Sequence, residues 1–394
     1  MAVPVRVAQA RPKEETPVAA QVGGVLRNLD WVLLAAVGGL VAYGLWVLEA
    51  VSRNDVAGDP NYFVVRQGAN VALGAVALAA AAFVHPELYR RFRKPLYAAL
   101  LALLLVVFVA DQIRGTNRWI DIGFFRFQPS ELGKVLVALV VASLLADRAR
   151  RISEWRTTGA AVGLGAVPTA LVFLEPDFGT ALIYGVVVAA ALFVAGTRWL
   201  HLAALALGGV FTALLLLWVL PSAGIEILKP YQLERLTGFV NPDHDPSGAT
   251  YNVNQSITAV GSGGLDGRGI AGATQTNMNY LPEHQTDFIF ASLAEQRGFL
   301  GSALLLLLYA IVAWRGVKTI ALAPSLFTAA LAAALVLALV LQIFVNVGMT
   351  IGIAPVTGIP LPFVSYGGSS MVTSLLMIGL IEAIHVRGRL AGRG

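Results

Sequence analysis

Six charged residues lie inside or at the edge of long apolar stretches of the sequence, where an ionised side chain needs a physical reason. An ionised group inside a membrane costs about 2.5 to 3.5 kcal/mol on insertion scales, so such residues are usually paired or functional. Carboxylates in this position are candidate proton acceptors, and cations are candidate partners of an anionic ligand. The six residues are Glu131, Lys134, Asp177, Asp287, Glu295 and Arg297.

Asp287 is a candidate general base. It ends a polar run that starts at Tyr280, and the pattern predicts a helix capped by Thr286 with Asp287 in its first turn. The positive end of the helix dipole would keep the carboxylate ionised and able to accept a proton. Helix capping alone would explain both residues equally well. We interpret His284 as a surface loop residue and not as a catalyst. A single histidine also does not make a metal site.

Glu131 and Lys134 lie three residues apart at the start of another predicted helix, with Pro129 suited to its first turn. The spacing places both side chains on one helix face, where they can form a local ion pair. Contact with a substrate is the alternative, and the two interpretations are compatible.

Three arginines precede this helix in a segment predicted to be external: Arg114, Arg118 and Arg126. The tendency of cations to stay on the cytoplasmic side opposes this placement, so an anionic ligand such as a phosphate would explain it. Trp119 stands among them and could serve either substrate binding or anchoring at the membrane interface.

The remaining candidate residues lie in turns and loops. Asp177, in the short turn 175–180, either caps the next helix or contacts substrate. Gln255 belongs to a polar strip followed by a glycine turn at 261–264, whose spacing matches no nucleotide motif. Ser365, Tyr366 and Ser369 lie in a Gly/Pro-rich stretch that either lines a cavity or permits close helix packing.

The composition identifies the elements that must position these residues as membrane helices. The chain has 394 residues, of which 57% are hydrophobic and only 13% charged, about half the charged fraction of a soluble protein. It has no cysteine, which excludes disulfides, thiolate metal sites and a cysteine nucleophile. The net charge of +5 does not indicate nucleic acid binding, because the basic residues fall between apolar segments, where they signal topology.

Apolar runs long enough to cross about 30 Å of hydrocarbon predict an all-α polytopic membrane protein with ten transmembrane helices. The uncharged stretch 319–381 supplies the last two, separated by a break at 352–362. The predicted crossings are 31–48, 67–84, 95–110, 126–147, 157–174, 179–197, 202–225, 287–314 and the two in 319–381.

Charge placement sets the predicted topology. The N-terminal segment, four loops (85–95, 147–157, 197–200 and 314–318) and the C-terminal tail hold 18 of the 28 Lys and Arg residues, so these parts are cytoplasmic. We therefore predict a disordered cytoplasmic segment 1–30, a membrane domain 31–386 and a cytoplasmic tail 387–394. The long segment 226–286 is predicted to be an extracytoplasmic loop between helices seven and eight, and is the first place to look for a site.

Six motifs in order resemble one family, the shape, elongation, division and sporulation (SEDS) proteins. Within that family, Thr274-Gln275 and the run 279–283 resemble the elongation proteins of the RodA type more than the division proteins of the FtsW type. The likeness covers nearly the whole membrane region. The motifs are 115–120 (GTNRWI), 128–134 (QPSELGK), 176–180 (PDFGT), 261–264 (GSGG), 282–290 and 360–370.

The resemblance implies a multi-pass bacterial inner-membrane glycosyltransferase that polymerises lipid II into β-1,4-linked glycan strands. It also implies a class B penicillin-binding protein as transpeptidase partner and an essential aspartate at the position of Asp287. The chain departs from the family at His284-Gln285, where Ala-His is common, and at Gln296, where a second acid is common. A direct catalytic role for His284 is therefore not expected.

On this hypothesis, Asp287 takes the proton of an attacking sugar hydroxyl while Arg118 and Lys134 stabilise the pyrophosphate leaving group. No cofactor is predicted, although a divalent cation could assist. The first alternative is a lipid II flippase, which would need a ladder of ionisable residues across the membrane, and the sequence does not suggest one. The second is a non-catalytic scaffold for the penicillin-binding protein.

Overall fold

The computed structural model describes residues 18–109, 118–121, 123, 125–224 and 249–392. Within them the chain forms a helical bundle with one short antiparallel strand pair, β1 (Ile120–Asp121) and β2 (Arg126–Phe127), which confirms the predicted fold class. The helices are α1 (Val18–Asn28), α2 (Trp31–Ser52), α3 (Tyr62–Phe83), α4 (Pro86–Arg91), α5 (Arg93–Val107), α6 (Pro129–Asp147), α7 (Trp155–Leu174), α8 (Phe178–Val194), α9 (Trp199–Leu214), α10 (Ala249–Ser262), α11 (Gly269–Gly272), α12 (Thr274–Asn277), α13 (Ile289–Leu322), α14 (Leu326–Thr350) and α15 (Gly368–Ala391).

Each predicted crossing corresponds to one of these helices. Eight are long and apolar enough to cross a membrane, counting α9 together with its π-helical continuation to Ser222. Helix α8 has only 17 residues and α5 only 15, so the count of ten crossings stays a prediction. The break predicted at 352–362 lies between the end of α14 and the start of α15.

In four places the structure has helix where the sequence predicted disorder, a loop or a tail. Residues 18–28, predicted to be disordered, form α1, which packs against α15. Helix α13 continues through the predicted loop 314–318. Within it, Arg315 forms an ion pair with Asp30, and Lys318 stacks on Trp314. Helix α15 runs past 387 to Ala391. The described end of the long loop is folded as α10 to α12, whereas 226–248 lies outside the described residues.

Burial separates the central helices from the peripheral ones. In the apolar windows of α6 and α15, 83% and 89% of residues are buried inside the protein, whereas none are buried in α9. A helix that is apolar on all sides belongs either in a core or in lipid, so sequence hydropathy does not distinguish these two cases. The candidate residues on α6 and α15 therefore face protein, whereas the apolar surface of α9 is exposed on the outside of the bundle.

A break inside α13 anchors the outer segment 249–288 to the bundle. Gly298 has φ +64°, a conformation that favours glycine, and interrupts the helical backbone. The backbone N–H of Phe299 donates to the carbonyl of Gly264 at 2.8 Å, and that of Arg268 donates to the carbonyl of Glu295 at 2.9 Å. The groups freed by the break are thus satisfied by the inserted loop, as buried backbone requires.

Candidate functional site

Asp287 lies in a turn immediately before α13, not in its first turn as predicted. The helix begins at Ile289, and its N-cap residue Phe288 makes no side-chain cap. The Thr286 hydroxyl instead donates to the backbone carbonyl and the carboxylate of Glu283, at 3.2 and 2.9 Å. The predicted capping by Thr286 is therefore wrong, and Asp287 is not the N-cap residue of α13.

The backbone around Asp287 is held in place while its side chain stays half-buried. The Asn346 side-chain amide donates to the carbonyl of Asp287 at 2.9 Å and to that of Ile359 at 2.8 Å. On the opposite side, a Cβ placed on Gly358 would lie 3.6 Å from Asp287 Oδ2, and the φ of +71° at this position favours glycine. The carboxylate therefore lies close to the backbone of the non-helical stretch 351–367 at Gly358.

This stretch is hydrogen-bonded to the turn that carries Asp287. The Ser365 hydroxyl donates to the carbonyl of Thr286 at 2.6 Å and accepts from the N–H of Leu361. The backbone N–H of Tyr366 donates to the carbonyl of Gln285 at 3.0 Å. Two irregular segments thus support each other, and the hydroxyl of Ser365 is already engaged with backbone.

Gln67 of α3 completes this support and was missed by the sequence analysis. Its amide nitrogen donates to the carbonyl of Ser365 at 2.9 Å, and its amide oxygen accepts from the N–H of Gly367 at 3.2 Å. The side chain is 1% exposed. An uncharged amide inside an apolar helix was the available signal, since such groups commonly bond across helices.

Tyr366 brings a cation to the edge of the same stretch. Its ring packs edge-on against Phe63, with centroids 4.9 Å apart, and Arg66, which stacks over the ring of Tyr62, lies close to it. Burial raises the pKa of Tyr366, while the neighbouring Arg66 opposes that rise. Arg66 is exposed and was not among the predicted site residues.

Ser369 and Asp177 lie in a second network that joins α6, α8 and α15. The Ser369 hydroxyl accepts from the N–H of Gln128 at 2.8 Å and donates to the carbonyl of Arg126 at 3.0 Å. The Gln128 side chain donates to Asp177 Oδ2 at 3.0 Å, and Asp177 Oδ1 accepts from the N–H of Thr180. The capping interpretation of Asp177 is confirmed.

Arg118 is bound to the turn between α7 and α8. Its guanidinium donates to the backbone carbonyls of Glu175, at 2.9 Å, and Pro176, while the adjacent Trp119 is half-buried. Arg114, the first arginine of the predicted cluster, lies outside the described residues. The contacts of Arg118 are thus with protein backbone.

The side chain of Glu175 is buried at 1% exposure, and among the described residues neither carboxyl oxygen has a hydrogen-bond partner. Burial and the nearby Asp177 raise its pKa to about 8, with Arg118 acting in the opposite direction. At neutral pH this carboxyl is therefore largely protonated.

Glu131 and Lys134 form the ion pair that their spacing predicted. Lys134 Nζ lies 2.7 Å from Glu131 Oε1 and 3.1 Å from Gln342 Oε1 on α14. The two charged residues are 3% and 1% exposed, so they lie inside the bundle, away from its surface. Gln342, another uncharged amide in an apolar helix, was missed for the same reason as Gln67.

His284 is buried, which contradicts its interpretation as a surface residue. Its Nδ1 lies 3.0 Å from the carbonyl of Leu281, and its Nε2 lies 3.0 Å from a carboxylate oxygen of Asp55. Both neighbours are acceptors, so the doubly protonated ring satisfies both nitrogens. Burial lowers the pKa of His284, but the hydrogen bond and charge of Asp55 outweigh it, so the net shift is upward.

Gln255 lies half-buried on α10, the helix that covers the outer end of the bundle. This helix is fixed to α14 by the Ser256 hydroxyl, which donates to the carbonyl of Thr350 at 2.8 Å. The role of Gln255 in substrate binding stays a prediction.

The last two of the six charged candidates, both on α13, have structural partners. Glu295 accepts hydrogen bonds from the backbone N–H groups of Gln275 and Thr276, at 2.8 and 3.0 Å, and so holds α12 against the bundle. Arg297 stacks over the ring of Trp46, 3.9 Å from its centroid. These contacts explain why both charges are tolerated at this depth.

Together these contacts place Asp287, Ser365 and Tyr366 at one junction, with Asp177 and Ser369 in an adjoining network and Glu131 and Lys134 inside the bundle. In the part of the chain that the structure describes, no three His, Asp or Glu side chains are grouped to hold a metal ion. A half-buried carboxylate beside irregular backbone can accept a proton from a group bound in that space.

Comparison with known proteins relates the whole chain to one group. A family model described as cell cycle protein, covering FtsW, RodA and SpoVE, matches residues 27–390. The chain is 35% identical over 367 residues to the peptidoglycan glycosyltransferase MrdB of Escherichia coli (strain K12), covering 93% of this chain and 96% of that protein. It is 34% identical over 355 residues to stage V sporulation protein E of Bacillus subtilis (strain 168), covering 89% and 93%.

Solved structures agree with the sequence matches. A chain from a study of the structural coordination of polymerization and crosslinking by a peptidoglycan synthase complex has a TM-score of 0.74 and 31% identity, covering 91% of this chain and 98% of that one. The Thermus thermophilus rod shape determining protein RodA has a TM-score of 0.67 and 29% identity, covering 91% and 96%.

Proposed function

The chain belongs to the FtsW, RodA and SpoVE family of cell cycle proteins, and we propose on that premise that it polymerises lipid II into β-1,4-linked glycan strands during cell elongation. It is a multi-pass membrane protein and a peptidoglycan glycosyltransferase, in line with the names of its relatives. Similarity to MrdB and to a RodA structure favours the elongation branch, although FtsW proteins also match at 32–36% identity.

The observation that supports a catalytic role for Asp287 is its setting. The carboxylate is half-buried, Asp287 is not the N-cap residue of α13, and the backbone at Gly358 lies beside it. Asn346 fixes the backbone that carries it, so the position of the carboxylate is set before a substrate binds. Irregular backbone at membrane depth is tolerated where it lines a cavity, which is where a lipid-linked sugar would enter.

The reaction is a single displacement at the anomeric carbon of a lipid-pyrophosphate disaccharide. The 4-hydroxyl of the acceptor sugar attacks, the bond to the pyrophosphate breaks, and the configuration inverts from α to β. Asp287 accepts the hydroxyl proton in the transition state, a contribution of about 10² to 10⁴ in rate.

Cations stabilise the negative charge that develops on the leaving pyrophosphate. Arg66 and Arg126, near Tyr366 at the edge of the irregular stretch, are exposed and suited to this role. Lys134, which the sequence hypothesis gave this task, is buried against Glu131 and Gln342 and is less suited. Whether a divalent cation shares the task is tested by adding a chelator to the assay.

The protein would act with a class B penicillin-binding protein that crosslinks the strands it makes. The similarity to a chain of a peptidoglycan synthase complex supports such a partner. The distribution of basic residues supports placing both termini in the cytoplasm of a bacterial inner membrane, with Asp287 on the outer side.

The test is polymerisation of labelled lipid II by the purified full-length protein with its cognate class B penicillin-binding protein, read on a gel that resolves glycan lengths. Asp287→Asn is compared with Asp266→Asn, the same chemical change at an exposed acid of the same outer segment. We expect glycan ladders from the wild type and from Asp266→Asn and none from Asp287→Asn, with equal thermal unfolding for all three.

Two outcomes would overturn the proposal. Undiminished ladders from a folded Asp287→Asn would exclude this residue as the base and point to a scaffold whose partner polymerises. If the wild type with its partner made no polymer, while liposomes containing it moved lipid II between leaflets, the protein would be a flippase.

A further inference from the structure

A basic cavity opens at the end of the bundle opposite Asp287. It has a volume of about 520 Å³ and is lined by the end of α4 and the start of α5: Glu87, Arg90, Arg91, Arg93, Lys94 and Pro95. Nothing in the proposed reaction uses these residues.

Helix α3 shows that the cavity and the Asp287 site are at opposite ends of the molecule. Near its start, Gln67 bonds to Ser365 beside the Asp287 turn. At its end, Arg387 of α15 donates to the carbonyls of Ala82 and Phe83, and α4 follows directly. Along α3, Phe83 follows Gln67 by 16 residues, which at about 1.5 Å each separate these two contacts by about 24 Å. With Asp287 at the outer leaflet, the cavity lies at the inner one.

The charges around the cavity are not balanced. Asp147, at the end of α6, binds Arg90 at 2.7 Å and Arg93 at 2.6 Å, and Glu87 also contacts Arg90. Among the described residues, Arg91 and Lys94 have no carboxylate within 4.0 Å, and both are exposed. Four cations thus face two carboxylates, which leaves two positive charges for an anion.

The surface beside the cavity is apolar. Leu88 and Phe92, on the same short segment as the cations, are 47% and 50% exposed. At the boundary of a membrane, a ring such as that of Phe92 contacts acyl chains while nearby cations reach the headgroups. An amphiphile with a negative headgroup matches both surfaces, whereas a free anion would use only the cations.

We propose that this cavity binds the phosphodiester headgroup of an anionic phospholipid from the inner leaflet. Arg91 and Lys94 contact the phosphate, Asp147 holds Arg90 and Arg93 in the cavity wall, and the acyl chains lie along Leu88 and Phe92. The site is independent of the proposed reaction, and its occupancy can be measured without any polymerisation.

The experiment is native mass spectrometry of the purified full-length protein in a neutral detergent, titrated with phosphatidylglycerol or with phosphatidylcholine of the same acyl chains. The test variant is Arg91→Gln/Lys94→Gln. The matched control is Arg150→Gln/Arg151→Gln, which removes two exposed cations near the end of α6 without touching the cavity lining. Thermal unfolding verifies that each variant is folded, and Arg91→Gln alone replaces the double variant if that one is not.

We expect the wild type and the control to bind phosphatidylglycerol more tightly than phosphatidylcholine, and the test variant to lose about tenfold in affinity for phosphatidylglycerol. Arg91→Lys/Lys94→Arg, which keeps both charges, should bind as the wild type does. Equal losses in the test and control variants would overturn the proposal, because net charge alone would then explain binding. Displacement of the lipid by millimolar inorganic phosphate would also overturn it, since the ligand would then be a free anion.

Discussion

Asp30 and Asp287 both lie just before a helix, at opposite ends of the bundle, but Asp30 is the N-cap residue of α2 whereas Asp287 lies one residue before the N-cap of α13, and their surroundings differ. Asp30 is 2% exposed and both its oxygens are used: Oδ1 caps α2 through the N–H of Leu33, and Oδ2 accepts from Arg315 Nε at 2.6 Å. Its backbone N–H donates to Glu382. Asp287 is half-buried, caps no helix and faces the backbone at Gly358.

The difference lies in what stands opposite each carboxylate. Asp30 meets side chains of two regular helices, α13 and α15, so it is enclosed and paired. Asp287 meets the irregular stretch 351–367, whose backbone is held by Gln67, Ser365 and Asn346. We infer that an enclosed and paired acid such as Asp30 stabilises the fold. An acid beside irregular, hydrogen-bonded backbone, such as Asp287, takes part in the reaction.

The sharpest test of this comparison is to make the same substitution at both ends. Asp287→Asn should reduce polymerisation by about 10² to 10⁴ with little change in thermal unfolding, because the half-buried side chain contributes mainly to the reaction. Asp30→Asn should leave Arg315 without its closest carboxylate and destabilise the protein by about 3–5 kcal/mol, while each folded molecule still polymerises. Thermal unfolding and the polymerisation rate per folded molecule are measured for both.

The comparison would be wrong if Asp30→Asn lost activity but not stability, or if Asp287→Asn lost stability. A stable Asp30→Asn without activity would mean that the inner acid is coupled to the reaction. An Asp287→Asn that unfolds readily would mean that the outer acid holds the junction together.

The buried pair of Glu131 and Lys134 sharpens the comparison, because both residues were also predicted to contact substrate. Glu131→Gln should destabilise the protein by about 3–5 kcal/mol, since it leaves the ammonium of Lys134 buried with only Gln342 as partner. Glu131→Gln/Lys134→Met should recover most of this loss, because an uncharged pair carries no desolvation penalty. Thermal unfolding of the single and double variants measures both effects.

The polymerisation rate of the double variant then separates the two roles. Normal polymer from the stable double variant is the expected result. It would mean that the pair, like Asp30, stabilises the fold and does not bind substrate. A stable double variant without polymer would return both residues to substrate binding.

The helices were predictable from the sequence because their apolar runs are long, and the break after α14 was marked by several glycines and prolines. The break at Gly298 was not, because one glycine is tolerated within a helix and the loop that satisfies the freed backbone lies some thirty residues earlier in the chain. The insertion of that loop is a tertiary contact, which local sequence does not report.

The candidate site was only partly predictable for a similar reason. Asp287 stood out by its charge, but Gln67 and Asn346, which hold the backbone around it, are uncharged and were overlooked. Burial could not be predicted either: α6 and α9 are both long apolar segments in the sequence, yet α6 is enclosed and α9 is not. The burial of Glu131 and Lys134 inside the bundle was therefore not predictable from the sequence.

Glu175 tests whether a hydrogen-bond partner or burial decides the protonation of a carboxyl group. It is as buried as Asp30, but among the described residues its carboxyl oxygens have no hydrogen-bond partner. Its pKa is raised to about 8 from an ordinary 4.5, so its contribution to stability is complete below about pH 4.5 and is lost as the pH rises through about 8. Wild-type thermal stability should therefore fall across that range. Glu175→Gln should flatten the fall and raise the unfolding temperature above pH 8 by about 2–4 °C for each kcal/mol recovered.

The matched control is Glu154→Gln, an exposed acid next to the start of the same helix, α7, which should leave the pH dependence unchanged. Some fall will remain in Glu175→Gln, because His284 also has a raised pKa and loses its ion pair with Asp55 as the pH rises. Glu175→Gln/His284→Gln should remove that remainder. If Glu175→Gln showed the full wild-type fall, the buried carboxyl would already be ionised and paired with Arg118, and it would then belong with Asp30 after all.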